Sequence, residues 1–182
     1  MAKPDLQVEL AGLKLRNPLM NASGILGLTC YSLVRLAEAG VGAVVTKSVG
    51  LKAREGNPNP TVVEAELAEA LKTLQTPVIV SVFGYEPGEY GEVVKRVEKL
   101  PVAGFELNVS CPHVGEVREL GSNPELVREV ARRVKAATSK PVFVKLSPNV
   151  SSFAELAEAA ERGGADGITA VNTARAMAID LE

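Results

Sequence analysis

The chain has 182 residues, 46% of them hydrophobic, and a formal net charge of −2 from 20 basic and 22 acidic side chains. That length builds one sizeable core, and the near balance of charge gives no electrostatic footprint for nucleic acid or an anionic membrane. The 4% aromatic content and the absence of Trp argue against base stacking on single strands, and two cysteines, Cys30 and Cys111, make no disulfide framework, which fits a reducing cytoplasmic setting. The opening Met-Ala-Lys-Pro-Asp carries no apolar signal region, and no run reaches the roughly 18 apolar residues of a membrane span.

In chain order, residues 6–10 and 13–15 around Ala11-Gly12 read as a hairpin suited to plugging the bottom of a barrel. A short strand at 19–21 leads to a helix over 31–39, with Leu33, Leu36 and Ala37 on one face and Gly40 as its stop. Strands follow at 43–46 and 77–83, then a helix over 90–100 carrying Val93, Val94 and Val97. After a strand at 104–108, Asn123-Pro124 reads as an N-cap with proline at the first helical position. Leu126, Val127, Val130 and Val134 then form its apolar stripe. A strand at 141–145 precedes a helix opened by the capping box Ser152–Glu155 and closed at Gly163-Gly164, and a last strand spans 167–171. These β-branched runs are the pattern of strands buried on both faces of a parallel sheet. Gly40-Val-Gly42 follows a helix and precedes a strand, the wrong order for a dinucleotide loop. Six βα units without that fingerprint predict a (β/α)8 TIM barrel, of which about six units are present, more than a doubly wound sheet.

Chemistry concentrates in Phe105-Glu-Leu-Asn108-Val-Ser-Cys111-Pro112-His113, where an apolar strand runs into an amide, a hydroxyl and a thiol and stops at a proline that cannot donate to a ladder. Ser23 follows the first strand, Lys47 the second, and Asn108 and Cys111 the fourth; Lys145 ends the fifth, and Asn172-Thr173 follow the sixth. In a parallel barrel all of these meet at one rim. Each alone reads equally well as a solvated strand end. Five strands carrying such groups at the same end predict a shared site, and two lysines on apolar strands need an anion or an electron-rich ring as partner. Blander readings suit other residues. Cys30 is a small packed side chain, His113 has no partners for a metal site, and Arg132, Arg133, Lys135, Glu64, Glu66 and Glu69 are wet helix faces.

The chain resembles the flavin-dependent dihydroorotate dehydrogenases of the soluble class 1, whose catalytic base is cysteine. The resemblance is carried by Asn17-Pro-Leu-Met-Asn-Ala-Ser23-Gly24, Thr46-Lys47-Ser48, Gly56-Asn-Pro58, Asn108-Val-Ser-Cys111-Pro112, Lys145-Leu-Ser-Pro-Asn149, Gly164-Ala-Asp-Gly167, Val171-Asn-Thr173 and Met177-Ala-Ile-Asp180. It implies an FMN-binding barrel that oxidises (S)-dihydroorotate to orotate in pyrimidine biosynthesis. Cys111 is then the base at C5 and flavin N5 the hydride acceptor. It further implies flavin contacts from Ser23, Lys47, Ser48, Asn108, Lys145 and the backbone of Val171, and substrate contacts from Lys47, Asn108, Asn172 and Thr173. A thiol in that role needs thiolate character, and a lysine beside the flavin pyrimidine edge favours the anionic reduced ring.

Relatives of this kind carry a substrate loop after the position of Glu64, whereas here the chain passes directly into Glu66-Leu-Ala-Glu-Ala-Leu-Lys72. They also place an asparagine at Ser81 and continue through seventh and eighth strands that bind the flavin phosphate. The single barrel domain 1–182 is therefore expected to be incomplete. A type 1B-like catalytic subunit implies a partner bearing FAD and an iron–sulfur cluster, in a heterotetramer, with a homodimer as the other assembly. Alternatives are a related pyrimidine oxidoreductase of the dihydropyrimidine dehydrogenase kind, a Schiff-base aldolase using Lys145 or Lys47, and an inactive barrel fragment.

Overall fold

A computed structural model describes residues 4–24, 26–51, 64–109 and 120–177. An antiparallel hairpin, β1 (Val8–Leu10) and β2 (Leu13–Leu15), comes first. Its two-residue turn places Ala11 at φ 49° and Gly12 at φ 81°. Positive φ at both central positions matches the right-handed twist of the flanking strands.

A five-stranded, wholly parallel sheet follows, in sequence order: β3 (Val44–Val45), β4 (Val78–Val82), β5 (Gly104–Asn108), β6 (Val142–Lys145) and β7 (Gly167–Thr169). The helices are α1 (Cys30–Glu38), α2 (Glu64–Thr73), α3 (Pro87–Val97), α4 (Pro124–Lys135) and α5 (Phe153–Arg162). Sequential parallel pairing with a helix in each crossover is the wall of a (β/α) barrel, here an open arc of five strands.

Residue parity sorts the strands into two faces. Val44, Val78, Val80, Val82, Phe105, Leu107, Val142 and Val144 join the large core under the helices, with Tyr90, Val94, Val127, Val130, Val134 and Leu156. Each such side chain contributes about 1.5–3 kcal/mol by leaving water. The opposite face holds a smaller cluster of Leu15, Ala43, Val45, Ile79 and Phe143, against which Leu10 and Leu13 of the hairpin pack. The hairpin thus closes the amino-terminal end of the sheet interior. Cys30, partly buried, packs at the margin of the larger core, as expected of a small packed residue.

The expected strand over 19–21 is reduced to one bridge, Met20 to Ala43. The Asn21 side chain takes over the pairing, donating from Nδ2 to the Val45 carbonyl (2.7 Å) and accepting the Val45 N–H at Oδ1 (2.8 Å). The third helix begins at Pro87, earlier than the sequence pattern suggests, because Gly88 and Gly91 mask an N-terminus for which Pro87 at the first position is well suited. Asn123 and Ser152 cap α4 and α5, accepting from the backbone of Glu125 and Leu126 and of Glu155; of the expected Ser152–Glu155 capping box only this Ser152 half forms, because the Glu155 carboxylate makes no bond back to the Ser152 N–H. Gly164 takes φ 91° just past the α5 end, a conformation that disfavours any side chain.

Candidate active site

The polar residues of the inner face lie above the apolar floor. In register, Ser81 stands beside Glu106 and Glu106 beside Phe143; one layer higher, Asn108 stands beside Lys145 and Lys145 beside Thr169. Phe143 fills the floor because its neighbour is Gly167, where a Cβ would lie 2.8 Å from the ring. The carboxyl ends of β4 to β7 therefore present hydroxyl, amide and ammonium groups toward one rim.

Two hydrogen-bond networks occupy it. In the first, Asn172 Nδ2 donates to Asn108 Oδ1 (3.0 Å), and Asn108 Nδ2 donates to Ser48 Oγ (3.1 Å), which pairs with Ser81 Oγ (2.9 Å). Tyr90, fully buried in α3, donates its hydroxyl to the Asn108 carbonyl (3.0 Å), fixing the end of β5. In the second, Glu106 accepts from Ser23 Oγ (2.6 Å) and Thr169 Oγ1 (3.1 Å), with Lys145 Nζ 3.8 Å away and donating to Ser23 Oγ (3.0 Å). Lys47 Nζ donates to the Gly24 carbonyl, so both lysine heads reach the Ser23-Gly24 turn. That turn is drawn inward by the Lys47 N–H bond to the Gly27 carbonyl (3.0 Å). Gly27 has φ 84°, and a Cβ there would meet the Val45 carbonyl at 2.7 Å.

Ser23, Lys47, Ser48, Asn108, Lys145 and Asn172 are thus brought to one rim. Val171 and Thr173 lie at its outer margin, Val171 being 46% exposed; the Thr173 carbonyl accepts from Asn149 Nδ2 (2.7 Å). Cys111, His113, Gly56, Asn57, Pro58 and Asp180 lie outside the described residues. Glu106 and Tyr90 were missed by the sequence reading. Glu106 had a signal, a carboxylate two residues before Asn108 in an otherwise apolar buried strand, so of the same parity. Tyr90 carried none beyond core spacing.

The donor set is chemically selective. Two ammonium groups and two amides ringing a floor of Phe143 and Val45 fit a flat, acceptor-rich heterocycle better than a metal ion. Among the described residues no three His, Cys, Asp or Glu side chains gather as metal ligands, and no helix is long and apolar enough to cross a membrane. A concavity of about 390 Å³ lined by Ala154, Ala157, Glu158, Glu161, Ala165 and Ile168 lies between α5 and β7, away from this rim.

The family model for dihydroorotate dehydrogenase matches residues 5–72 and 64–182. The chain belongs to the dihydroorotate dehydrogenase family. Its whole length is 40% identical to the dihydroorotate dehydrogenase B (NAD(+)) catalytic subunit of Geotalea daltonii, over 67% of that protein. It is 44% identical, again over its whole length, to the protein of the same name from Pyrococcus horikoshii, over 66% of it. The chain therefore spans about two thirds of the length of these curated family members. A solved dihydroorotate dehydrogenase from Eimeria tenella superposes with a TM-score of 0.76 at 18% identity, over 94% of this chain and 60% of that one. A 2,3-dimethylmalate lyase superposes with a TM-score of 0.55 at 16% identity, over 78% and 56%. These two likenesses show the barrel fold that the strand order displays.

Proposed function

We propose that the chain is the FMN-binding catalytic part of a dihydroorotate dehydrogenase, oxidising (S)-dihydroorotate to orotate in pyrimidine biosynthesis. The observation that carries this reading is the rim itself: Lys47, Ser48, Asn108, Lys145 and Asn172, each from a family-like motif, converge above an apolar floor. Lys145 and Ser23 would hold the polar edge of FMN, with Lys47, Ser48 and Asn108 beside them and the backbone of Val171 at the margin. Bound FMN supplies the hydride acceptor. Asn108 and Asn172, already bonded to each other, present paired amides suited to an imide and carboxylate substrate, joined by Lys47 and Thr173. Cys111, three residues beyond Asn108 in sequence, is the base that takes the substrate proton.

The reading includes an electron-transfer partner carrying FAD and an iron–sulfur cluster, in a heterotetramer in the cytoplasm; relatives named as NAD(+)-linked catalytic subunits support the existence of a partner subunit. The reading also includes a missing substrate loop after Glu64. Alignment to the Geotalea protein runs over 204 residues against 182 here, leaving 22 without a counterpart, and the two family matches meet over 64–72. On this reading the remaining third of the longer relatives holds the seventh and eighth barrel strands, which would carry the flavin phosphate site.

The test is anaerobic titration of the FMN-loaded protein with dihydroorotate, which bleaches the flavin absorbance. Cys111→Ala keeps the flavin and loses at least about 100-fold in reduction rate, the usual contribution of a general base. Reduction at an unchanged rate in Cys111→Ala would refute the assigned base. Bleaching by reduced nicotinamide with turnover of uracil, and none by dihydroorotate, would replace the substrate assignment.

A further inference from the structure

Among the side chains whose burial is described, Glu106 is the one buried carboxylate and Lys145 the one buried base, 6% and 5% exposed. Withdrawing two charges from water costs several kcal/mol each, so a buried pair adds little to stability. The geometry here is not that of a tight ion pair. Lys145 Nζ stands 3.8 Å from Glu106 Oε1, beyond hydrogen-bond range, and bonds instead to Ser23 Oγ at 3.0 Å. Ser23 Oγ in turn donates a hydrogen bond to the same carboxylate oxygen at 2.6 Å. The other oxygen accepts from Thr169 Oγ1 at 3.1 Å. One carboxylate on β5 thus gathers the Ser23-Gly24 turn, the end of β6 and the end of β7. An ammonium has three protons, and Ser23 uses one. The lysine is tethered and charge-balanced while keeping donors for a ligand at the rim.

We propose that Glu106 is a positioning residue that holds the Lys145 ammonium in place through Ser23 and, by its charge, limits how far that ammonium favours reduced over oxidised flavin. The proposal rests on the FMN reading above, and goes beyond it in assigning a task to a residue that need not touch cofactor or substrate. The sign follows from charge. Glu106→Gln keeps the shape and the acceptor oxygen but removes one negative charge beside the lysine. The site becomes more positive and binds the anionic reduced ring better than the neutral oxidised one.

Two measurements test it, on Glu106→Gln and on Thr169→Val, which deletes the bond to Oε2 and leaves every charge in place. In protein free of flavin, the Lys145 ammonium gives a slowly exchanging 15N signal, assigned by its loss in Lys145→Arg, and both variants speed its exchange about tenfold. In FMN-loaded protein, the ratio of oxidised to reduced FMN dissociation constants rises about tenfold in Glu106→Gln, which is about 30 mV in midpoint potential. It rises less in Thr169→Val. Ammonium exchange unchanged in a folded variant, or a Glu106→Gln ratio that is unchanged or lower, overturns the proposal. If Glu106→Gln does not fold, unchanged exchange in Thr169→Val alone overturns it. Failure of the unaltered chain to take up FMN overturns the flavin reading instead; the exchange measurement then still decides whether Glu106 holds Lys145.

Discussion

Gly167→Ala probes the floor beneath the rim. In an ordinary strand the change is harmless or helpful, since alanine removes about 0.4–1 kcal/mol of unfolded-state entropy. Here the added Cβ lies 2.8 Å from Phe143 Cδ1 and 3.1 Å from Cε1, whereas carbon contacts relax at roughly 3.5–4.0 Å. Phe143 is 6% exposed and packed with Leu15, Ala43, Val45 and Ile79, so its ring has little room to retreat. Overpacking of this kind costs about 1–3 kcal/mol, and the net loss after the entropic gain is about 0.5–2 kcal/mol. In a Phe143→Ala background both obstructing atoms are gone, and Gly167→Ala becomes neutral or stabilising. The four proteins of the double-mutant cycle, unfolded in urea and compared at constant slope, should therefore show a coupling of about 1–2 kcal/mol. An equal cost of Gly167→Ala in both backgrounds would refute the ring contact as the reason for glycine.

Asn21→Ala removes two hydrogen bonds that stand in for strand pairing with Val45 and is expected to cost about 1–3 kcal/mol; a loss under about 0.5 kcal/mol in urea unfolding would contradict that role. The Glu129 carboxylate is held down to about 2 from the usual 4.5, first by a hydrogen bond from Arg132 and then by one from Arg133. Its folded-state value is depressed, so the stabilisation is complete above 4.5 and is lost as pH falls toward about 2. The difference in Tm between the wild type and Glu129→Gln should be small, shrink between pH 6 and pH 2 and diminish with salt; a difference constant across that range would sink the assignment.

Much of the site was legible because strand polarity is a local property. In a parallel sheet the carboxyl end of every strand faces the same way, so Lys47, Asn108, Lys145 and Asn172 could be assigned to one rim from the order of apolar runs alone. The helices were equally readable where caps were explicit, as at Asn123 and Ser152. The early start of α3 was not, because glycines at 88 and 91 weaken the propensity signal while burial of Tyr90, Val93, Val94 and Val97 overrides it.

The chain by itself determined the βα alternation, the two-faced strands and the family motifs, since each depends on neighbours a few residues apart. Only the tertiary structure decided what those motifs touch. Ser23 meets Glu106 across 83 residues, Lys145 meets Ser23 across 122, and Thr169 meets Glu106 across 63. Contacts at such separations leave no periodic trace in the sequence. A buried carboxylate becomes visible as a hub only when sheet register brings its partners within hydrogen-bond reach.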